Sequence, residues 1–312
     1  MNCVVALDVG GTTMKGALLA PDGAALHRQR WPTPAASGAG AVVDAIAAAA
    51  VALRDRALAG GDVPLAAGVA VPGQVDDDAG TAVYSANLGW RDVPLRATLT
   101  EAVGLPLAFT QDVRAGAIAE ARFGAARDVD DFVFLALGTG VGAAVVLGGR
   151  VRSGVHSLAG ELGHVRLGPG DERCGCGGAG CAEAIASAPA IARRYAAATG
   201  TAAERLDAEE VSRRAAAGDA AAQRVWADAI AALAGPLASA IALLDLDAVV
   251  VGGGVARADA ALLEPLRRQL ADRLPIHPAP DVRAAALGDE AGCEGAGALA
   301  WDLAGAVAGT CR

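Results

Sequence analysis

The chain has few aromatic residues and no excess of positive charge. The first shortage limits what can fill the core, and the second excludes a class of binding partner. Aromatic side chains make up only 3% of the 312 residues, so alanine and the aliphatic residues must fill the core. The net charge is −9, which leaves no basic surface of the kind that binds nucleic acid or an anionic membrane. We therefore expect neither partner. Small anionic ligands remain allowed, because backbone amides bind phosphate without net positive charge.

We expect neither a signal peptide nor a membrane span. The first residues lack a basic start and reach Asp8 after a short apolar run, which is not typical of a signal peptide. Alanine-rich runs such as residues 47–52 are short and bounded by charge, so we predict no membrane span. With 54% hydrophobic and 20% charged residues, the composition is that of a globular protein, and we expect it in the cytoplasm.

Strands and helices alternate along the chain, and one pattern occurs twice. A strand at residues 4–7 runs into a glycine–threonine turn and returns at 16–19, which predicts a hairpin with a polar tip. The same pattern recurs at 132–137 and 143–147. Further strands are predicted at 65–71, 107–110, 248–251 and 282–286, and helices at 41–59, 94–103, 113–123, 190–198, 208–216, 220–244, 259–273 and 295–307.

This alternation predicts an α/β fold made of two related halves. The length suffices for two domains with substantial cores. No linker is strongly marked, and we place the boundary near Asp112. The predicted domains are residues 1–112 and 113–294, and the C-terminal helix, about 295–312, can pack back on the first domain.

Four potential metal ligands, His164, Cys174, Cys176 and Cys181, lie close together in the sequence. Three thiolates and an imidazole are a tetrahedral set that zinc prefers, and a closed site of this kind is usually structural. The alternatives are a disulfide or idle thiols, but a Cys-x-Cys pair suits a disulfide poorly. We predict a structural zinc ion in the loop 164–181, in a reducing compartment. The remaining cysteines are expected to be buried or incidental thiols: Cys3, Cys293 and Cys311.

Three glycine-rich turns have the composition of phosphate-binding sites. They are Gly10, Gly11, Thr12 and Thr13; Gly138, Thr139 and Gly140; and Gly252, Gly253 and Gly254. Each alone is explained by an ordinary turn, but two Gly/Thr turns, each between strands, favour a phosphate clamp. Asp8, ahead of the first turn, is suited to hold a hydrated Mg²⁺. The glycine run leaves room for a purine, and a tight turn explains it equally well.

The order of these motifs closely resembles that of the ROK family, which includes bacterial repressors and sugar kinases within the actin-like ATPase superfamily. The most specific element is Glu161-x-Gly163-His164, followed by the cysteine loop and Glu183. Further matching positions are residues 8–13, 72–73, 87–90, 111–112, 138–142 and 252–254. The resemblance spans essentially the whole chain. It implies two actin-like (ribonuclease H-like) α/β domains with an active site in the cleft between them, plus the zinc-binding loop.

By resemblance, the protein is an ATP- and Mg²⁺-dependent hexose kinase, glucokinase-like, that forms the sugar 6-phosphate. Asp112 would be the base that takes the proton from the attacking hydroxyl. The alternative for Asp112 is a helix N-cap, since it lies between a strand and a helix. The sugar-binding positions would be Asn87, Gln111, Asp112, Glu161, His164 and Glu183. His164 would ligate the metal through one ring nitrogen and face the sugar through the other.

Two residues depart from the family's pattern. Gln111 stands where related kinases usually have asparagine, and Arg114 replaces a second asparagine. One added methylene in a fitted site is commonly worth ~1–3 kcal/mol, so the substrate is left open. N-acetylmannosamine, N-acetylglucosamine and fructose are alternatives to glucose, as is sugar binding without catalysis. Polyphosphate is an alternative to ATP as the phosphoryl donor.

The resemblance also raises two questions about partners. Repressors of this family carry a helix-turn-helix module ahead of the first phosphate-loop strand. Here that strand begins at Val4 and the chain is acidic, so we expect no such module. We expect a homodimer or a higher homo-oligomer by resemblance alone.

Overall fold

A computed structural model describes residues 1–168, 170–202 and 206–310 of the chain. Cys311, at which we expected a buried or incidental thiol, lies outside the described residues. The chain divides into two compact units. The first comprises residues Met1–Gly124, Ser153–Ala159 and those from Asp289 onward; the second comprises Ala125–Arg152 and Gly160–Gly288.

The first unit is built on a five-stranded sheet with the order β3-β2-β1-β4-β8. Its elements are β1 (Asn2–Val9), β2 (Thr13–Leu19), β3 (Ala25–Pro32), α1 (Ala39–Ala59), β4 (Val63–Val71), β5 (Gln74–Asp76), β6 (Thr81–Ser85), β7 (Trp90–Val93), α2 (Leu95–Val103), β8 (Leu107–Gln111) and α3 (Asp112–Arg122). β1, β2 and β3 are antiparallel, whereas β1, β4 and β8 are parallel. β5, β6 and β7 form a separate antiparallel sheet.

Helices cover both faces of the central strands β1 and β4, which is why these two strands are apolar at nearly every position. Val5 and Leu7 of β1 pack in the cluster that includes α1, whereas Val4 and Ala6 pack on the opposite side. That side is covered by the helix formed by Ala291–Thr310. A Cβ at Gly68 of β4 would overlap the carbonyl of Ala296, so this helix meets the sheet at backbone distance.

The second unit repeats the strand order of the first. Its elements are β9 (Phe132–Leu137), β10 (Val141–Leu147), β11 (Arg150–Arg152), α4 (Glu183–Ala186), α5 (Ala188–Thr199), α6 (Ala208–Ala216), α7 (Ala220–Leu244), β12 (Ala248–Gly252), α8 (Ala260–Arg273) and β13 (Asp281–Ala284). The sheet order is β11-β10-β9-β12-β13, with three antiparallel strands followed by two parallel pairings. The predicted α/β fold with two related halves is confirmed. We name the helix Ala291–Thr310 α9.

The division between the units differs from the predicted boundary at Asp112. α3 lies in the first unit, because Ala115 packs with Ala70 of β4 and Ala296 of α9. The segment Ser153–Ala159 also belongs to the first unit, where Arg114 donates a hydrogen bond to the Ser157 carbonyl. Small residues and one long side chain thus decide where the first unit ends.

The helix α7 is, among the described residues, the one long and apolar enough to cross a membrane by length and composition. Half of its apolar window is buried inside the protein. Trp226, Leu233 and Leu237 are among its covered side chains, packed in the core of the second unit. A core helix of a globular unit has the same composition.

Candidate active site

The turn between β1 and β2 is fixed by hydrogen bonds on its inner side. The Gly10 amide donates to the Thr13 carbonyl at 2.9 Å. Thr33 supports the turn twice, its hydroxyl donating to the Gly10 carbonyl at 2.8 Å and its amide to the Thr12 carbonyl at 2.9 Å. Gly11 and Thr12 form the exposed tip. The predicted phosphate turn is therefore held by hydrogen bonds on its inner side and exposed at its tip.

Asp8 lies at the end of β1 with 16% of its side chain exposed. α9 covers it: a Cβ built on Gly292 would lie 2.6 Å from the Asp8 Cγ. Burial raises the pKa of Asp8 to about 6; Lys15 opposes the rise, and Glu290 and Asp289 add to it. A nearby cation would stabilise the ionised form of this buried carboxylate, which fits the predicted role of Asp8 in holding Mg²⁺.

Gln111 ends β8 and Asp112 follows it. Both lie at the same edge of the sheet as the β1 turn, since β1, β4 and β8 are parallel. The side-chain carbonyl of Gln111 accepts the Arg114 amide hydrogen at 3.0 Å and caps α3. Asp112 is the first residue of the helix, and its Oδ1 accepts the Val113 amide hydrogen at 2.8 Å. The capping role that competed with catalysis for Asp112 thus belongs to Gln111.

Asn87 lies in the turn between β6 and β7, and its side chain is exposed. The structure brings it next to the first phosphate turn, because a Cβ built on Gly11 would lie 3.8 Å from the Asn87 Cβ. Asp8, the 10–13 turn, Asn87, Gln111 and Asp112 all belong to the first unit.

In the second unit, the other two glycine turns lie side by side. The Gly138 amide donates to the Gly140 carbonyl at 3.0 Å across the β9–β10 tip. Gly252 pairs with Ala136 on the neighbouring strand β9. Gly253 has a φ of +87°, and a Cβ there would overlap the Leu137 carbonyl, so only glycine fits. Within the described residues, a Cβ built on Gly254 would meet no other part of the chain within 4 Å, so open space lies beside this pair of turns.

The four predicted zinc ligands converge. All four ligand atoms lie within 4.8 Å of one another. His164 Nδ1 is 3.5 Å from Cys174 Sγ, and Cys176 Sγ is 3.8 Å from Cys181 Sγ. Tetrahedral zinc with ordinary bond lengths separates two sulfurs by about 3.8 Å and a sulfur and a nitrogen by about 3.5 Å. These two distances match tetrahedral zinc, and the donor set is the one that zinc prefers.

The thiols of this cluster differ in their acidity. Burial raises the pKa of Cys174 and that of Cys181, whereas a backbone hydrogen bond from Gly178 lowers the pKa of Cys176. A metal ion binds thiolates, so its binding would release the protons that burial retains. Among the described residues the cysteines are free thiols, and Cys3 and Cys293 are fully buried, as predicted.

His164 and Glu161 lie at the edge of the cluster. The Nδ1 atom of His164 faces the sulfurs, and its Nε2 is 3.7 Å from a carboxylate oxygen of Glu161. A Cβ at Gly163 would overlap the Val141 carbonyl, so the Glu-x-Gly-His motif needs glycine to pack on β10. Both side chains are partly exposed, at 34% and 44%, and are accessible to a polar ligand.

Glu183 connects the cluster to the second phosphate turn. One carboxylate oxygen accepts the Val141 amide hydrogen at 3.0 Å, and the other is 3.5 Å from Cys174 Sγ. A Cβ on Gly140 would lie 2.8 Å from the first oxygen. The sequence predicted a sugar-binding role for Glu183; the structure adds a link to the turn.

Sequence reasoning missed the structural role of Arg114. Its guanidinium is buried and donates to the Val75 carbonyl at 3.1 Å, to Asp77 at 2.7 Å and to the Ser157 carbonyl at 2.7 Å. It therefore fixes β5 and the segment Ser153–Ala159. The sequence does show Arg114 as a long basic residue among small ones near the start of a helix, which could have indicated a structural role. Its partners are identified only by the structure.

Comparisons with known proteins identify the family of the chain. The chain belongs to the ROK family, whose model matches residues 4–302. It is 32% identical over 317 residues to a glucokinase of Streptomyces coelicolor, covering 96% of this chain and 98% of that protein. An N-acetylmannosamine kinase of Escherichia coli O127:H6 is 36% identical over 299 residues, with 95% and 97% covered. A crystal structure of a ROK family glucokinase from Streptomyces griseus, in complex with glucose and AMPPNP, matches with a TM-score of 0.82 at 32% identity, covering 96% and 99% of the two chains.

Proposed function

We propose that this protein phosphorylates a hexose at its 6-hydroxyl with ATP, and that glucose is its first substrate. The observation that carries the proposal is the arrangement of Glu161, His164 and Glu183 at the Cys₃His cluster. Carboxylates and an imidazole held in fixed positions are suited to accept hydrogen bonds from sugar hydroxyls. Full-length similarity to glucokinases supports the same activity.

Asp112 acts as the general base. It accepts the proton of the sugar O6 hydroxyl as that oxygen attacks the γ-phosphorus of ATP. A bond forms between O6 and the γ-phosphorus, the bond from that phosphorus to the β–γ bridging oxygen breaks, and ADP leaves. Because Gln111 caps α3, Asp112 can serve as a base without loss of the cap.

Each of the two Gly/Thr turns offers groups suited to nucleotide phosphate, and the open space at Gly254 suits the nucleoside. When bound with the nucleotide, Mg²⁺ would supply positive charge that offsets the charge developing during transfer. Asp8 is the residue that would hold it. Zinc, held by His164 and the three cysteines, has a structural role and takes no part at the reacting atoms.

N-acetylmannosamine is a second candidate substrate, because Gln111 departs from the family's usual asparagine. The amide oxygen of Gln111 is engaged in the cap of α3, so the usual sugar contact at this position is altered. The N-acetylmannosamine kinase relative, at 36% identity, supports this alternative. The phosphoryl transfer is the same for both sugars, and only the contacts in the sugar pocket would differ.

A coupled assay of ADP release tests the proposal with glucose, fructose, mannose, N-acetylglucosamine and N-acetylmannosamine. Asp112→Asn is expected to lower kcat at least 100-fold for the best substrate and to leave folding intact, because general-base catalysis contributes about 10²–10⁴-fold. Asp92→Asn is the matched control, an exposed aspartate with a φ of +51°, a conformation that asparagine tolerates. Retained turnover in Asp112→Asn contradicts the base assignment, and no turnover with any hexose contradicts the proposed function.

We also infer a cytoplasmic location, a structural zinc ion and a homo-oligomer, with a dimer first. The clustered free thiols favour a reducing compartment. Metal analysis of the purified protein should give one zinc per chain, and sedimentation equilibrium gives the oligomeric state.

A further inference from the structure

The first turn of α3 carries the proposed base, and its neighbours in the chain hold that turn. Asp112 is the first residue of the helix, and Arg114 lies two residues further on. Gln111 accepts the Arg114 amide hydrogen, and the Asp112 carboxylate accepts the Val113 amide hydrogen. Because the Asp112 side chain is bonded to its own helix start, the direction of the carboxylate follows the position of this turn.

The Arg114 side chain anchors the turn to other parts of the first unit. It is 3% exposed, and its guanidinium donates to the Val75 carbonyl, to Asp77 Oδ2 and to the Ser157 carbonyl. Ser157 has a φ of +56°, a left-handed conformation that is unfavourable for a residue with a side chain and is held by its surroundings. A guanidinium stays charged, so Arg114 cannot leave these partners without becoming a buried, unpaired charge.

Asp77 connects the Arg114 side chain to the end of β8. Burial raises the pKa of Asp77, whereas the Arg114 guanidinium and the Thr110 hydroxyl oppose that rise. Thr110 is 4% exposed and lies in β8, two residues before Asp112. Asp77 therefore contacts the chain on both sides of the proposed base, before it through Thr110 and after it through Arg114.

We propose that Arg114, held by Asp77, is a positioning residue for Asp112, which it keeps where the carboxylate can take the proton of the sugar hydroxyl. This inference rests on the proposed function. A general base must come within about 2.6–3.2 Å of the oxygen whose proton it takes. A displacement of about 1 Å can lower the rate about 100-fold. Arg114 thus acts through Asp112 and not on the sugar.

Steady-state kinetics of Arg114→Met with the best hexose test the proposal. The variant is expected to lower kcat at least tenfold and to leave the hexose KM within threefold, because the base shifts while the sugar contacts remain. Urea unfolding gives the folded fraction to which each kcat is referred. Asp77→Asn keeps the shape of its side chain and removes only the charge, so it is the milder second variant and should lower kcat at least threefold.

Arg96→Met is the matched control. Arg96 is a partly buried arginine that donates to the carbonyls of Asp77 and Asp78, at 3.1 and 2.6 Å. It therefore supports the turn after β5 from α2 and not from the helix that carries Asp112. Its loss should change kcat less than twofold.

A double variant separates positioning from a general structural role. A positioning residue has no effect on turnover once the group that it positions is lost. Adding Arg114→Met to Asp112→Asn should therefore lower the residual kcat less than twofold, whereas a general loosening of the unit would lower it as much as in the unmodified protein. The proteins are prepared from a host without hexose kinases of its own, so that the residual rate is theirs.

The outcomes separate this inference from the proposed function. If the unmodified protein phosphorylates no hexose, the proposed function fails and this inference fails with it. If it does, three results overturn only the role of Arg114: kcat retained within twofold in Arg114→Met, an equal loss in Arg96→Met, or a further tenfold loss in the double variant. If Arg114→Met does not fold, Asp77→Asn decides in its place, and an unchanged kcat there overturns the proposal.

Discussion

Asp8 should cost the free protein stability at neutral pH, and Asp8→Asn should restore it. The carboxyl lies beneath α9, and its pKa rises from the ordinary 3.8 to about 6 mainly through burial. A group whose pKa is raised in the folded protein stabilises it most below the unfolded pKa and loses this contribution as the pH rises through the folded pKa. The shift of about two pKa units corresponds to about 3 kcal/mol.

Asparagine has nearly the same shape as the protonated carboxyl and cannot ionise. Without Mg²⁺ or ATP, Asp8→Asn should therefore be more stable than the unmodified protein by about 3 kcal/mol above pH 6. The difference should shrink as the pH falls from about 6 to about 4 and then vanish. Loss of the Lys15 ion pair is already included, since its attraction is part of the net shift.

Urea unfolding at several pH values between 4 and 8 measures this difference. Three of the four tryptophans, Trp31, Trp90 and Trp301, lie in the first unit, so fluorescence mainly follows the unit that contains Asp8. Asp92→Asn again serves as the control and should stay within about 0.5 kcal/mol at every pH. A variant that is less stable at pH 7.5, or a difference that does not change with pH, would refute the reasoning.

Two further predictions concern the zinc loop and the buried arginine. Cys176→Ser should lose zinc and weaken both hexose and Mg·ATP binding at least tenfold, because Glu183 joins the cluster to the Val141 amide. Metal analysis and calorimetry measure these changes. Normal sugar binding in a zinc-free variant would show that the metal does not support the sugar site. Arg114→Met should destabilise the first unit by about 3 kcal/mol, since Asp77 and two carbonyls lose their donor. Urea unfolding of Arg114→Met, Asp77→Asn and the double variant measures the coupling between the two residues. Additive changes in the free energy of unfolding would show that Arg114 and Asp77 do not interact.

Local sequence patterns were sufficient for the regular elements and for the metal cluster. All predicted strands and helices are present with small shifts at their ends, because apolar runs and alanine-rich segments determine them locally. The ligand spacing of the cluster likewise brings four side chains together with few residues between them. Five strands and the four-residue helix α4 were missed. The strands β5, β6, β7 and β11 are at most five residues long and contain polar side chains, and β3 is mostly polar and exposed.

Contacts between distant residues could not be predicted in this way. Arg114 donates a hydrogen bond to the Ser157 carbonyl, and Lys15 donates one to the Asp289 carbonyl. Each pair is far apart in the sequence, and no local pattern indicates the pairing. The Gln111 cap is close in sequence, but glutamine is an uncommon cap, so its role became clear only from the geometry. The functional roles of the site residues stay predictions until the variants above are measured.

The position of α9 in the chain has a consequence for protein synthesis. β1 and β4 are made early, yet the helix that covers one of their faces follows the whole of the second unit. At about 5–20 residues per second, the intervening chain takes on the order of ten seconds to synthesise. During that time Val4, Ala6 and Ala66 lack their cover, and the nascent first unit presents an apolar sheet to chaperones. The second unit, although it begins later, is the first to have all of its residues outside the ribosome.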